Sequence, residues 1–102
     1  MSNEVMDPTL KDKEKLKSKE PNMYNVVFVN DDFTSMEFVV LMLQKYHSKS
    51  QEEAAKIMMD VHEKGKGIAG IYTHEIAETK AFMVNHRARI VGFPLKNIIE
   101  KV

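Results

Sequence analysis

The chain is 102 residues long, 43% apolar and 29% charged, with 15 basic residues against 15 acidic ones. That mixture describes one ordinary folded domain with a modest core, and the balanced charge removes the electrostatic case for a nucleic-acid or anionic-membrane partner. The chain has no cysteine, hence no disulfide, thiolate nucleophile or cysteine-based metal site; no apolar run nears the ~18 residues of a membrane span, and the N-terminus has no signal core, so the cytoplasm is the expected compartment.

Residues 1–22 differ from the rest. From Lys11 to Glu20 charges alternate with Leu16 as the one apolar residue, between Pro8 and Pro21. Such a segment buries too little apolar surface to offset its ordering entropy. It is expected to be a flexible arm, either a solvating tail or a segment that engages a partner, preceding a folded domain over 23–102.

Met23 to Asn30 reads as the first strand, with the β-branched run Val26–Val27–Phe28–Val29 at its heart. A helix is expected from Ser35 to about Tyr46, opened by a Thr34–Glu37 capping box. It is apolar nearly all round, so part of its surface is expected to line a groove. Between strand and helix lie Asn30, Asp31 and Asp32. Polar groups at such a junction converge on ligands in some proteins and merely turn the chain in others. Strand alternation would put Asn30 and Asp32 on one side and Asp31 on the other.

A second capping box, Ser50 and Glu53, opens a helix that continues to about Lys64, with Ala54, Ile57, Met58 and Val61 as its core stripe. His62 sits at the edge of that stripe, and Gly65 and Gly67 stop the helix. Ile68 to Tyr72 is the second strand, in which Gly70 marks a bulge or a place where another backbone approaches closely. Thr73 is placed to cap a third helix from His74 to about Arg89, with Ala77, Ala81, Val84 and Ala88 as its stripe. Gly92–Phe93–Pro94 then turns into a last strand, Leu95 to about Glu100. The order predicts an α+β layer: β-α-α-β-α-β, three helices on one face of a small three-stranded antiparallel sheet.

Catalytic patterns are missing. There is no Gly-x-Ser-x-Gly, no glycine-rich phosphate loop, and no metal-ligand spacing among His47, His62, His74 and His86. A metal assembled in space from His62 and Asp32 is the residual enzymatic alternative. The residues favour a binding module without cofactor or resident metal, not an enzyme.

Three stretches carry a resemblance: Val29-Asn-Asp-Asp-Phe-Thr-Ser-Met-Glu-Phe-Val-Val40, Val61-His-Glu-Lys-Gly-Lys-Gly67 and Ile71-Tyr-Thr-His-Glu-Ile-Ala-Glu-Thr-Lys80. Together, over about residues 23–100, the chain resembles the bacterial ClpS adaptor family. The resemblance implies an adaptor that binds proteins through a bulky hydrophobic N-terminal residue (Leu, Phe, Tyr or Trp over Ile and Val) and delivers them to the N-terminal domain of the ClpA unfoldase of the ClpAP protease. By that resemblance Asn30, Asp31, Asp32 and His62 hold the substrate's α-amino group, with the alternation favouring Asp32. Thr34 lies beside the substrate backbone. Met36, Val39, Met58, Val61 and Leu95 wall the side-chain pocket, with Met36 at its gate. Glu75 and Lys80 contact the unfoldase, and the N-terminal arm engages it too. Ser35 departs from the family, where proline is common, at an expected small loss of helix rigidity because the capping box remains. A different interaction module on the same scaffold, such as a ribosome-associated domain, is the alternative.

Overall fold

The computed structural model describes residues 21–102; nearly all of the expected arm over 1–22 lies outside them. The elements run β1 (Met23–Val29), α1 (Met36–His47), α2 (Gln51–Lys64), β2 (Lys66–Thr73), α3 (His74–Val91) and β3 (Lys96–Lys101). The strands form one antiparallel sheet in the order β2-β1-β3. The expected β-α-α-β-α-β layer is what forms, with boundaries moved by one or two residues.

β1 is central because it alone is apolar enough: Val26, Val27 and Phe28 are all buried. Val26 and Phe28 face the helices and join Val39, Met42, Leu43, Ala54, Val61, Ala77, Val84, Ala88 and Leu95 in the core. Val27 points the other way. It pairs with Ile68 and Ile98 on the open side of the sheet, where Lys66 and Glu100 meet across β1 at 3.3 Å. The alanines of α3 let that helix lie against all three strands, while α1 packs on α2 and α3.

A bulge interrupts β1–β2 pairing: Val26 opposes Gly70 and Val27 opposes Ile68, leaving Ala69 as the extra residue. Gly70 also meets a close approach, but from the Tyr72 ring rather than from the backbone expected there. A Cβ there would stand 2.5 Å from the Tyr72 hydroxyl.

Two local expectations need correction. The cap of α1 is Ser35, whose Oγ accepts from the Phe38 N–H at 3.1 Å; Thr34 is occupied with Asp31 instead, so no Thr34–Glu37 capping box forms. Ser35 therefore stands at the N-cap rather than the first helical position, and serine is suited to it. Thr73 precedes α3 as foreseen but makes no side-chain capping bond. The Ser50–Glu53 box is present in both directions, at 3.1 and 3.0 Å.

Candidate functional site: a cleft at the β1–α1 junction

The connection between β1 and α1 is shaped by Asp31. Its Oδ1 accepts from the Phe33 and Thr34 N–H groups at 2.8 and 2.7 Å, and its Oδ2 accepts from the Thr34 hydroxyl at 2.8 Å. This is the aspartate turn that competes with regular structure. Partial burial alone would raise the Asp31 pKa; the hydrogen bonds from Thr34 and Phe33, with the Arg89 charge, outweigh it and hold the carboxyl below its usual value. Both oxygens of Asp31 thus serve the turn. The neighbouring Asp32 is exposed and takes no part in that network.

The turn is fastened to the end of α2. The Asn30 N–H donates to the Gly65 carbonyl at 2.9 Å, and Gly65 closes α2 in the left-handed conformation (φ 90°) that a glycine adopts without strain. His62, in the last turn of α2, is thereby brought beside Asn30. Gly67 lets β2 start tight against the same helix: a Cβ there would lie 2.9 Å from Val61 Cγ2 and 3.1 Å from the Ile57 carbonyl. Backbone positions without chemistry of their own therefore set the site's shape.

The result is a cleft of about 230 Å³ lined by Asn30, Asp31, Asp32, Thr34, Met36, Val39, Met58, Val61 and His62. These are nine of the ten residues singled out for amine, backbone and side-chain contact. Leu95 is not among the lining residues. It is 1% exposed and belongs to the core cluster that also holds Val39 and Val61. Arg89 holds it there by donating to the Phe93 and Leu95 carbonyls at 2.9 and 2.7 Å.

The lining is chemically mixed. Asn30, Asp32 and His62 carry polar groups able to accept hydrogen bonds, and Met36, Val39, Met58 and Val61 supply apolar surface. The cleft's volume is below the roughly 300–1,000 Å³ of drug-sized ligand sites. No group of three or more His, Asp or Glu side chains able to hold a metal ion occurs among the described residues, and no helix there is long and apolar enough to cross a membrane.

Glu75 and Lys80 lie elsewhere, on a groove of α3 shared with Thr73, Ile76, Thr79 and Met83. Lys80 is tethered: its Nζ donates to the Tyr46 carbonyl at 2.6 Å and lies 5.3 Å from the Tyr72 ring centroid. Tyr72 in turn bonds His47, Oη to Nδ1, at 2.8 Å. The sequence placed the end of this helix at about Tyr46; His47 is the last residue of α1 and only 5% exposed. The signal that finds it is helical: it falls four residues after Leu43 and eight after Val39, on the buried stripe.

Comparison with known proteins bears on the fold and the family. The family described as "ATP-dependent Clp protease adaptor protein ClpS" matches residues 19–98. A relative from Janthinobacterium sp. (strain Marseille), an ATP-dependent Clp protease adapter protein ClpS, is 49% identical over 96 residues, 94% of each chain. One of the same name from Burkholderia cenocepacia (strain HI2424) is 46% identical over 95 residues, 93% of this chain and 91% of the relative. Among solved structures, Agrobacterium tumefaciens ClpS2 bound to L-phenylalaninamide matches with TM-score 0.79 and 32% identity, over 81% of this chain and all of that one. The chain belongs to the ClpS family of ATP-dependent Clp protease adaptor proteins.

Proposed function

We propose that the cleft reads the N-terminal residue of protein substrates, taking the free α-amino group at its polar side chains and a bulky hydrophobic side chain (Leu, Phe, Tyr or Trp) against its apolar surface. The observation that carries the reading is the meeting, in one small cleft, of Asn30, Asp32 and His62 with Met36, Val39, Met58 and Val61. An α-ammonium presents three N–H donors, and removing it from water without partners is costly. The Asn30 amide oxygen, a His62 ring nitrogen and the Asp32 carboxylate supply three acceptors of the right kind. Asp31 contributes by holding the turn, and Thr34 by bordering the substrate backbone.

Hydrogen bonds to a charged group contribute roughly 1.5–3 kcal/mol each, and burying a Leu or Phe side chain contributes about 1.5–3 kcal/mol more. Micromolar binding needs about 8 kcal/mol. The side chain falls well short of that alone, and three such hydrogen bonds reach it only near the top of their range, so recognition draws on both the amine and the side chain. A β-branched first residue brings an additional methyl group against the Met36 gate, which disfavours Ile and Val. No step of this function needs catalysis, a cofactor or a metal.

Delivery is to the N-terminal domain of the ClpA unfoldase, in the cytoplasm. The α3 groove with Glu75 and Lys80 is the contact, and residues 1–22 are the second point of engagement. The test is fluorescence titration with a Leu-started peptide. Asn30→Ala and His62→Ala each weaken binding about tenfold, as loss of one such hydrogen bond predicts, while Glu75→Ala leaves peptide affinity unchanged and weakens binding to ClpA. Equal affinity for Leu- and Ile-started peptides contradicts the pocket assignment.

A further inference from the structure

With eight methionines and no cysteine, this chain confines sulfur oxidation chemistry to thioethers, and two of them line the cleft. Met36, the first residue of α1, is 44% exposed, and Met58 beside it in the lining is half-buried. Met42, on the same helix as Met36, is 1% exposed and sealed in the core. Met59 is 39% exposed but is not part of the cleft lining. Accessibility thus leaves Met36 open to small oxidants, shields Met42, and supplies in Met59 a comparably exposed methionine outside the cleft.

We propose that Met36, with Met58 beside it, is a reversible oxidation site that shuts the cleft to apolar N-terminal residues. The inference rests on the peptide-reading function above. A peroxide transfers one oxygen atom to the Met36 sulfur: the O–O bond breaks, the sulfur gives up two electrons, and with hydrogen peroxide the second oxygen leaves as water. The product sulfoxide is polar, where the thioether was a soft apolar surface. A bound Leu or Phe side chain must then either desolvate that S=O dipole without a donor to satisfy it or leave the wall, which weakens binding by about tenfold or more. Methionine sulfoxide reductases reverse the change, drawing two electrons from thiols that become a disulfide and releasing the oxygen as water. Nothing in the core need move, because the modified group is on the surface.

The experiment treats the full chain with graded hydrogen peroxide, locates the added oxygen by peptide mass mapping, and measures the dissociation constant of a fluorescent Leu-started peptide, with circular dichroism as a check on the fold. Expected is an affinity that falls about tenfold or more in step with oxygen addition at Met36, with the fold intact, and recovers on incubation with methionine sulfoxide reductases. Met59→Leu shows the same fall. Met36→Leu, a near-isosteric change, retains most of its own starting affinity after treatment, and Met36→Leu/Met58→Leu retains all of it.

Full affinity in a protein oxidised at Met36, oxidation of Met59 that leaves Met36 intact, or an equal fall in Met36→Leu/Met58→Leu overturns the inference. An untreated protein that ignores the Leu-started peptide overturns the proposed function and this inference with it. Binding that is normal and insensitive to oxidation overturns this inference alone.

Discussion

Asp31 and Asp32 are adjacent, chemically identical and assigned different work by the chain around them. Asp31 spends both oxygens on Thr34 and Phe33, whereas Asp32 is exposed on the cleft lining. Asp31→Ala should therefore cost about 1 kcal/mol of stability, as loss of a capping aspartate does, and lower the melting temperature by roughly 4–8 °C, with weakened binding as a consequence of the loosened turn. Asp32→Asn should leave the melting temperature within the error of a thermal scan and still weaken a Leu-started peptide about tenfold. Thermal melts beside peptide titrations separate the two. Equal melting losses in both variants contradict this division. Strand alternation also pointed to Asp32, but by a route that does not see the hydrogen-bonded turn engaging both oxygens of Asp31.

At the scale of elements, legibility followed locality. β1, the Ser50–Glu53 cap, the glycine stop of α2 and the stripes of α2 and α3 depend on residues within a turn or two of one another, and all were readable. Thr34 misled because two local signals competed for it: a Thr-x-x-Glu pattern and an aspartate three residues upstream. The aspartate prevailed, and Ser35 took the cap. Contacts across the fold, such as Asn30 to Gly65 and His47 to Tyr72, leave no pattern in the sequence. The site residues were legible through their resemblance to a family; composition alone left them as turn and helix-edge residues. Gly67 belongs to this scale as well. Gly67→Ala drives a methyl against Val61 and the Ile57 carbonyl, and overpacking of this kind costs about 1–3 kcal/mol. It should also weaken peptide binding, because α2 carries His62, Met58 and Val61. Urea denaturation and titration of the same variant check this; full stability would mean that β2 and α2 part without penalty.

For the whole molecule, the clearest solution signature comes from His47. Burial above all, then the positive charges of Lys80 and Lys49, pushes its pKa down from the ordinary 6.5 to about 4, while its Nδ1 meets the Tyr72 hydroxyl. Between those values the unfolded chain binds a proton that the folded protein does not. Stability is therefore fully retained above about 6.5 and falls as the pH drops toward 4, by roughly 3 kcal/mol in all. Urea midpoints of the wild type should decline across that window, and His47→Phe, which cannot take up the proton, should decline less. Equal slopes would show that other groups govern the acid limb. This titration lies at the C-terminal end of α1, away from the cleft, so peptide recognition is best tested at a pH near 7.5, where His47 is neutral in both states. There, a Leu-started peptide is titrated beside its N-acetylated twin, which keeps the side chain and loses the charge. Retention of the free-amine peptide with loss of at least about tenfold on acetylation is the predicted result; equal binding of the two would contradict the assignment of Asn30, Asp32 and His62 as readers of the amine.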